Sequence, residues 1–264
     1  QGINGHMITL FDGGAHIPLL WTHLIPATLE GKAVHNVQNA MCASAMAYSL
    51  GATLEDIRHG LRTFDTSFFQ APGRMNVFDE HPFKVILDYA HNPAAVEAMC
   101  KTAAQLSVQG KRIAVLAAPG DRRDQDIDEI GRLAAGNFDY YLCKADDDRR
   151  GRGFDEAPQR IRTSLLEEGV SDDTIKVIPD EQACIDHALR MANHGDLVLI
   201  FGDDTTRSWK QIIGYDSEGH PVESGTVPVA DVVDLPVLSE YHIETSDTLI
   251  RDEKGVRLAR EEND

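Results

Sequence analysis

No stretch of this sequence approaches the ~18 consecutive apolar residues of a membrane-spanning helix, so no membrane association is expected. Basic residues are scarce: 25 Lys and Arg stand against 43 Asp and Glu, a net charge of −18. That balance argues against nucleic-acid binding through a general basic surface. Only four cysteines occur, Cys42, Cys100, Cys143 and Cys184, and none forms a Cys-x-x-Cys pair. Neither a zinc ribbon nor a dithiol redox motif is therefore suggested. Each lies in an apolar helix or strand pattern, so buried free thiols in a reducing cytoplasm are expected. Both G-x-G-x-x-G and G-x-x-x-x-G-K-[ST] are missing, which removes the dinucleotide fingerprint and the phosphate-cradling loop. No charged, apolar leader follows Gln1. A start without Met raises the expectation of a piece of something longer.

What is present describes a folded protein. Hydrophobic residues make up 42% and charged residues 26% of 264, ordinary globular usage. That length suits one large domain or two smaller ones. Two apolar segments, His6 to Phe11 and His16 to Trp21, flank Asp12-Gly13-Gly14 and predict a hairpin. An Ala- and Met-rich helix is expected from Asn36 to Leu50, stopping at Gly51. Thr53 and Asp56 resemble a capping pair for a helix to about Phe64. From Pro72 the pattern alternates strand and helix. Strands are predicted at 84–89, 112–117, 140–143, 174–178 and 196–201, each followed by a helix. Five such units predict an α/β fold, a Rossmann-like, mostly parallel sheet with helices on both faces, preceded by a partial α/β domain. The boundary falls in Thr66 to Gly73 (TSFFQAPG). The last 50 residues hold 13 acids and four bases, half the net charge. Short apolar alternations around Ser217-Glu218-Gly219 and Asp252-Glu253-Lys254-Gly255 suggest hairpins there.

Open α/β sheets bind ligands at the carboxyl ends of their strands. Four polar loops lie at such ends: Asp88 to Pro93, Pro119 to Asp124, Asp146 to Arg152 and Gly202 to Asp204. Asp88 ends an apolar strand. It suits ribose hydroxyls, and equally a cap or an ion pair. Asn92 precedes a helix and has capping as its plainer role. Asn36 and Asn39 share one helix face by their spacing of three. Side-chain amides match the edge of an adenine; on spacing alone, Asn36 reads as a cap and Asn39 as solvent-facing. Arg74 follows Pro72-Gly73, where an arginine can reach phosphate oxygens or simply face water.

Taken in order, these pieces resemble the Mur ligase family. They are His35-Asn36-Val37-Gln38-Asn39, Pro72-Gly73-Arg74-Met75, Asp88-Tyr89-Ala90-His91-Asn92-Pro93 and Gly120-Asp121-Arg122. The resemblance covers about Gly2 to Gly214. It implies that residues 1–70 are the end of the central ATP-binding domain and 71–214 the C-terminal domain, with 215–264 an acidic tail. It further implies an ATP-dependent amide ligase that uses Mg2+ and forms an acyl phosphate. Asn36 and Asn39 would face adenine, Asp88 the ribose, and Arg74 ribose or phosphate. Arg74 and His91 are the catalytic candidates. Within the family the likeness is strongest to the branch that joins arginine to the aspartates of a poly-aspartate chain, giving cyanophycin. Asp146, Asp147, Asp148 and Arg149 take the place of an Asp-Asn-Pro-Arg loop that chooses the amino acid. One or more of these aspartates is expected to hold a guanidinium, although a solvated acidic loop fits as well. Asn92, Asp121 and Arg122 join them as substrate-binding candidates. A homo-oligomer is expected for a full-length enzyme. Without the phosphate loop, these 264 residues alone are expected not to hydrolyse ATP. A ligase of peptidoglycan precursors and a non-catalytic assembly module remain the alternatives.

Overall fold

Alternation of apolar and polar residues on either side of a double-glycine turn makes the first hairpin. In the computed structural model, which describes residues 5–216, 248–252 and 255–259, β1 (Met7–Asp12) pairs antiparallel with β2 (Ala15–Trp21). Gly13 and Gly14 turn it at positive φ. Helices α1 (Val34–Ser49) and α2 (Leu54–Thr63) follow. Thr53 caps α2 by accepting the Asp56 N–H, as the capping pair predicts. Ile8, Leu19, Leu20, Ile25, Ile57 and Leu61 form a small core of this segment.

α1 departs from expectation twice. It starts at Val34 with Ala33 at the N-cap and no side-chain cap, so Asn36 is an interior helix residue. Its apolar surface is largely uncovered: Ser44 alone is buried, while Val34, Met41 and Met46 are exposed. Cys42 is exposed too, which corrects the expectation of four buried thiols. Burial pushes the thiols of Cys100 and Cys184 up to about 12, so these stay protonated.

The α/β part is built as the alternation predicts. Its strands are β3 (Asn76–Phe78), β4 (Lys84–Asp88), β5 (Arg112–Leu116), β6 (Tyr140–Cys143), β7 (Ile175–Val177) and β8 (Leu197–Phe201). Its helices are α3 (Pro93–Gln105), α4 (Asp124–Ala134), α5 (Glu156–Glu167), α6 (Glu181–Met191) and α7 (Thr205–Ile213). The sheet runs β3-β4-β8-β5-β6-β7. Within it, only the pairing of β3 with β4 is antiparallel. Successive side chains along a strand point to opposite faces. Ile86, Ala114, Leu116, Leu197 and Leu199 meet the apolar faces of α3, α4 and α5. Val85, Leu87, Ile113, Val115, Val198 and Ile200 meet α6 and α7. Strand β3 was not expected: three residues are too few to show a period. Asn92, Asp180 and Asp204 cap α3, α6 and α7, each accepting an N–H from three residues on.

At the amino edge of the sheet, Asp196 is 5% exposed. It accepts the N–H of Lys111 at 2.6 Å and of Asn193 at 2.8 Å. Contacts divide the chain into two compact units, residues 1–222 and 223–264. In the second, β9 (Thr248–Asp252) and β10 (Gly255–Ala259) form the antiparallel hairpin expected around Asp252 to Gly255. The one expected around Ser217-Glu218-Gly219 lies outside the described residues.

Candidate functional site

The junction between α2 and β4 is organised by one buried amide. Asn76 is fully buried. Its amide N–H groups donate to the Thr66 and Ala71 carbonyls at 2.9 and 2.8 Å, and its oxygen accepts the Gly73 N–H at 2.7 Å. This folds Thr66 to Gly73 into a fixed turn. Gly73 has φ +67°, and a Cβ there would lie 2.7 Å from Thr205 Cγ2. Only glycine fits such a position. Met75 follows at φ +50°. That conformation is unfavourable for a residue with a side chain, and Met75 is buried. It is held by its N–H, which donates to Asp88 Oδ2 at 2.8 Å.

Around that turn lie the first group of expected site residues. Arg74 stands over the Tyr89 ring at 5.9 Å. His91 Nδ1 is 3.0 Å from the Tyr89 carbonyl. Asn92 is the α3 cap described above, the plainer of its two readings. Asn36 donates to the Ala27 carbonyl at 2.7 Å and accepts from Asn39 at 3.1 Å. Asn36, Asn39 and Arg74 together line one cavity of about 600 Å³ between α1, α2 and the junction. Its remaining lining is mostly small and apolar, including Ala40, Ala43 and Ile57. Asn36 and Asn39 supply the side-chain amides of this largely apolar lining.

Asp88 is 8% exposed. Burial pushes its carboxyl up to about 6, against the opposing pull of the Met75 N–H and the Arg74 charge. An acid whose pKa is higher folded than unfolded loses stability as pH rises from about 4 to 6. The ionised form therefore costs about 3 kcal/mol at pH 7. Asp88→Asn removes the charge and keeps an oxygen for one of the two N–H groups that the carboxylate accepts, those of Met75 and Ala90. It is expected to flatten the decline between about pH 4 and 6. An unchanged slope would show that another group titrates.

The second group gathers elsewhere, at the carboxyl ends of β5, β6 and β8. Asp147 pairs with Arg207 at 2.7 Å, and its N–H donates to Asp203 at 2.9 Å. Asp148 accepts the Arg150 N–H at 3.1 Å, and Arg150 pairs with Asp121. Asp146 faces the fully buried Lys144 at 3.4 Å. Arg149 lies over the Phe154 ring at 5.4 Å. Arg152 straps this loop to the one after β5. It donates to the carbonyls of Gly120 and Arg122, both at 2.7 Å, and to Asp124 at 2.8 Å. Arg122 Nε is buried without a hydrogen-bond partner.

Residues 73–203 match the model of the Mur ligase, glutamate ligase domain. The chain belongs to the Mur ligase family. It is 38% identical over 205 residues to the cyanophycin synthetase of Crocosphaera subtropica, covering 78% of this chain and 23% of that protein. It is 34% identical over 163 residues to the UDP-N-acetylmuramoyl-L-alanyl-D-glutamate–2,6-diaminopimelate ligase of Aquifex aeolicus, covering 61% of this chain and 31% of that one. The chain thus spans under a quarter of the cyanophycin synthetase and under a third of the diaminopimelate ligase. In fold it is similar to a murein peptide ligase of Psychrobacter arcticus, with a TM-score of 0.52 at 17% identity over 81% of this chain and 43% of that one.

Several residues that shape these two groups gave no sequence signal. Asn76 stands in a segment with no visible period. Lys144 looks like the first polar residue of a loop, yet none of its side chain is exposed. Glu181 looks like an ordinary acid in a first helical turn. Arg207, on α7, pairs with a residue sixty positions earlier. Among the described residues, no three His, Cys, Asp or Glu side chains are grouped to hold a metal ion. No helix among them is long and apolar enough to cross a membrane.

Proposed function

We propose that this chain works within an ATP-dependent amide ligase that joins arginine to the aspartate side chains of a poly-aspartate chain, building cyanophycin. The observation that carries the reading is the match to cyanophycin synthetase along 78% of the chain. The cavity supports it, since it brings together Asn36, Asn39 and Arg74, which are 38 positions apart at the extremes. Residues 1–70 then contribute to the ATP-binding domain, 71–214 are the C-terminal domain, and 215–264 are an acidic tail. The enzyme is cytoplasmic and homo-oligomeric in this reading.

In the reaction a side-chain carboxylate takes the γ-phosphoryl group of ATP, giving an acyl phosphate and ADP. The arginine α-amine attacks the acyl carbon. The tetrahedral intermediate then expels phosphate, and the amine loses a proton. Asn36 and Asn39 hold the adenine. Asp88 accepts from the ribose hydroxyls, and Arg74 places positive charge near the phosphates. Positioning of this kind supplies much of the rate enhancement in acyl and phosphoryl transfer. His91, on the loop after β4, is the second catalytic candidate. Asp121, Arg122, Asp146, Asp147, Asp148, Arg149 and Asn92 form the side that receives the amino acid.

A ligase of peptidoglycan precursors is the second reading, supported by the 34% identity to a diaminopimelate ligase. Product analysis separates the two. The parent ligase is expected to release ADP only when arginine and a poly-aspartate primer are both present, and the product gains arginine residues by mass. ADP release that needs diaminopimelate and a nucleotide-linked dipeptide would replace the first reading with the second. The 264-residue chain alone is expected to show no ATP turnover.

A further inference from the structure

Of the three loop aspartates, two already have an arginine of this chain as partner. Asp147 is paired with Arg207, and Asp148 lies 3.5 Å from Arg150. Asp146 differs. Among the described residues its one cationic partner is Lys144, and Lys144 is shared with a closer carboxylate: Glu181, at 3.1 Å. Glu181 is 1% exposed and opens α6. Besides Lys144 it takes Arg207 at 2.7 Å, the Asp203 N–H at 2.7 Å and the Asp204 N–H at 3.3 Å. One carboxylate therefore holds Lys144 and Arg207, the partners of Asp146 and Asp147, and both amides that shape the turn after β8.

We propose that Glu181 is a positioning residue that keeps Asp146 available to a cationic amino-acid substrate. This deepens the arginine reading above and rests on it. Among these side chains, Asp146, Asp147, Asp203 and Glu181 are negative, and Lys144 and Arg207 positive. The surplus is two negative charges, gathered where Asp146 remains 12% exposed. A guanidinium is a fitting counter-charge for a carboxylate so placed. Without the charge of Glu181, Lys144 keeps Asp146 as its sole close carboxylate. Attraction between buried charges is strong, so the ammonium would move onto Asp146 and close it to a ligand.

The test is made in the parent ligase, with KM for arginine and for ATP measured separately. Glu181→Gln is expected to raise the KM for arginine roughly tenfold or more and leave that for ATP within about twofold. Lys144→Met/Glu181→Gln removes the competing cation as well. It is expected to return the KM for arginine to within about threefold of wild type. A merely structural salt bridge would be relieved in the double variant as well, but its loss in Glu181→Gln would lower stability and move both KM values together. An unchanged arginine KM in Glu181→Gln, or an equal rise in both KM values, would overturn the proposal. Where Glu181→Gln fails to fold, Lys144→Met decides: removal of the cation that competes for Asp146 is expected to lower the KM for arginine severalfold with that for ATP unchanged, and an unchanged or raised arginine KM overturns the proposal. A wild-type ligase that uses no arginine defeats the substrate reading instead. A wild-type that does, with Glu181→Gln unaffected, defeats only the role of Glu181.

Discussion

Gly120→Ala is expected to remove most arginine-dependent ADP release from the parent ligase and to lower its melting temperature by ~6–12 °C. The reason is a backbone contact. A Cβ on Gly120 would sit 2.0 Å from the Arg149 carbonyl oxygen and 2.6 Å from its carbon. Neither atom is at the end of a flexible side chain, so a whole loop must retreat. Overpacking against backbone costs about 3 kcal/mol or more. The retreating segment also carries Asp146 to Asp148 and Arg152, whose bonds to the Gly120 and Arg122 carbonyls join the two loops. Thermal melts and ADP release on the same preparation check both parts. Normal turnover in a variant of normal stability would show that the loops need not touch.

Asp196→Ala is expected to lose stability without losing function. Asp196 lies at the amino edge of the sheet, opposite the loops at the carboxyl ends of its strands. Its two oxygens accept the N–H groups of Lys111 and Asn193, next to the starts of β5 and β8. Truncation leaves two partly buried donors without an acceptor. At ~1–3 kcal/mol for each, a loss of about 2–6 kcal/mol is expected, read as a lower midpoint in urea. The KM values for ATP and for the amino acid should stay near wild type. An unaltered midpoint would mean that water replaces the carboxylate at no cost. The contrast with Gly120 separates a residue that builds the sheet from one that joins the loops proposed to receive the amino acid.

The two residues also show what a sequence discloses and what it hides. Strands such as 112–116 and 197–201 were legible because each is a short apolar run bounded by charged or turn residues, the mark of a strand covered on both faces. β3 was hidden because three residues at an edge carry no period. Asn36, Asn39 and Arg74 were legible as members of an ordered set of motifs, and they line one cavity. The internal partners of the acidic loop were not. Lys144 and Glu181 are 37 positions apart, and each looks like a surface residue in its own segment. Only the packing of α6 against the end of β6 brings the two charges to 3.1 Å and removes both from water. Asn36 misled for a local reason. An asparagine near a helix start suggests a cap, but the helix begins two residues earlier and the amide turns back to Ala27.

The strand order has a consequence for how the chain is made. β8 is the last strand of the main sheet to be synthesised, yet it lies between β4 and β5. Until residues 197–201 arrive, the β3-β4 pair and the β5-β6-β7 trio have no hydrogen bonds to each other. Each then presents an open edge of apolar strand, the surface from which misassembly starts. Folding of the α/β unit must wait for a segment 109 positions beyond the end of β4. Such long-range closure slows folding compared with local pairing. A nascent chain interrupted before β8 therefore holds two incomplete half-sheets, and the newly made protein is most exposed to aggregation just before its central strand is inserted.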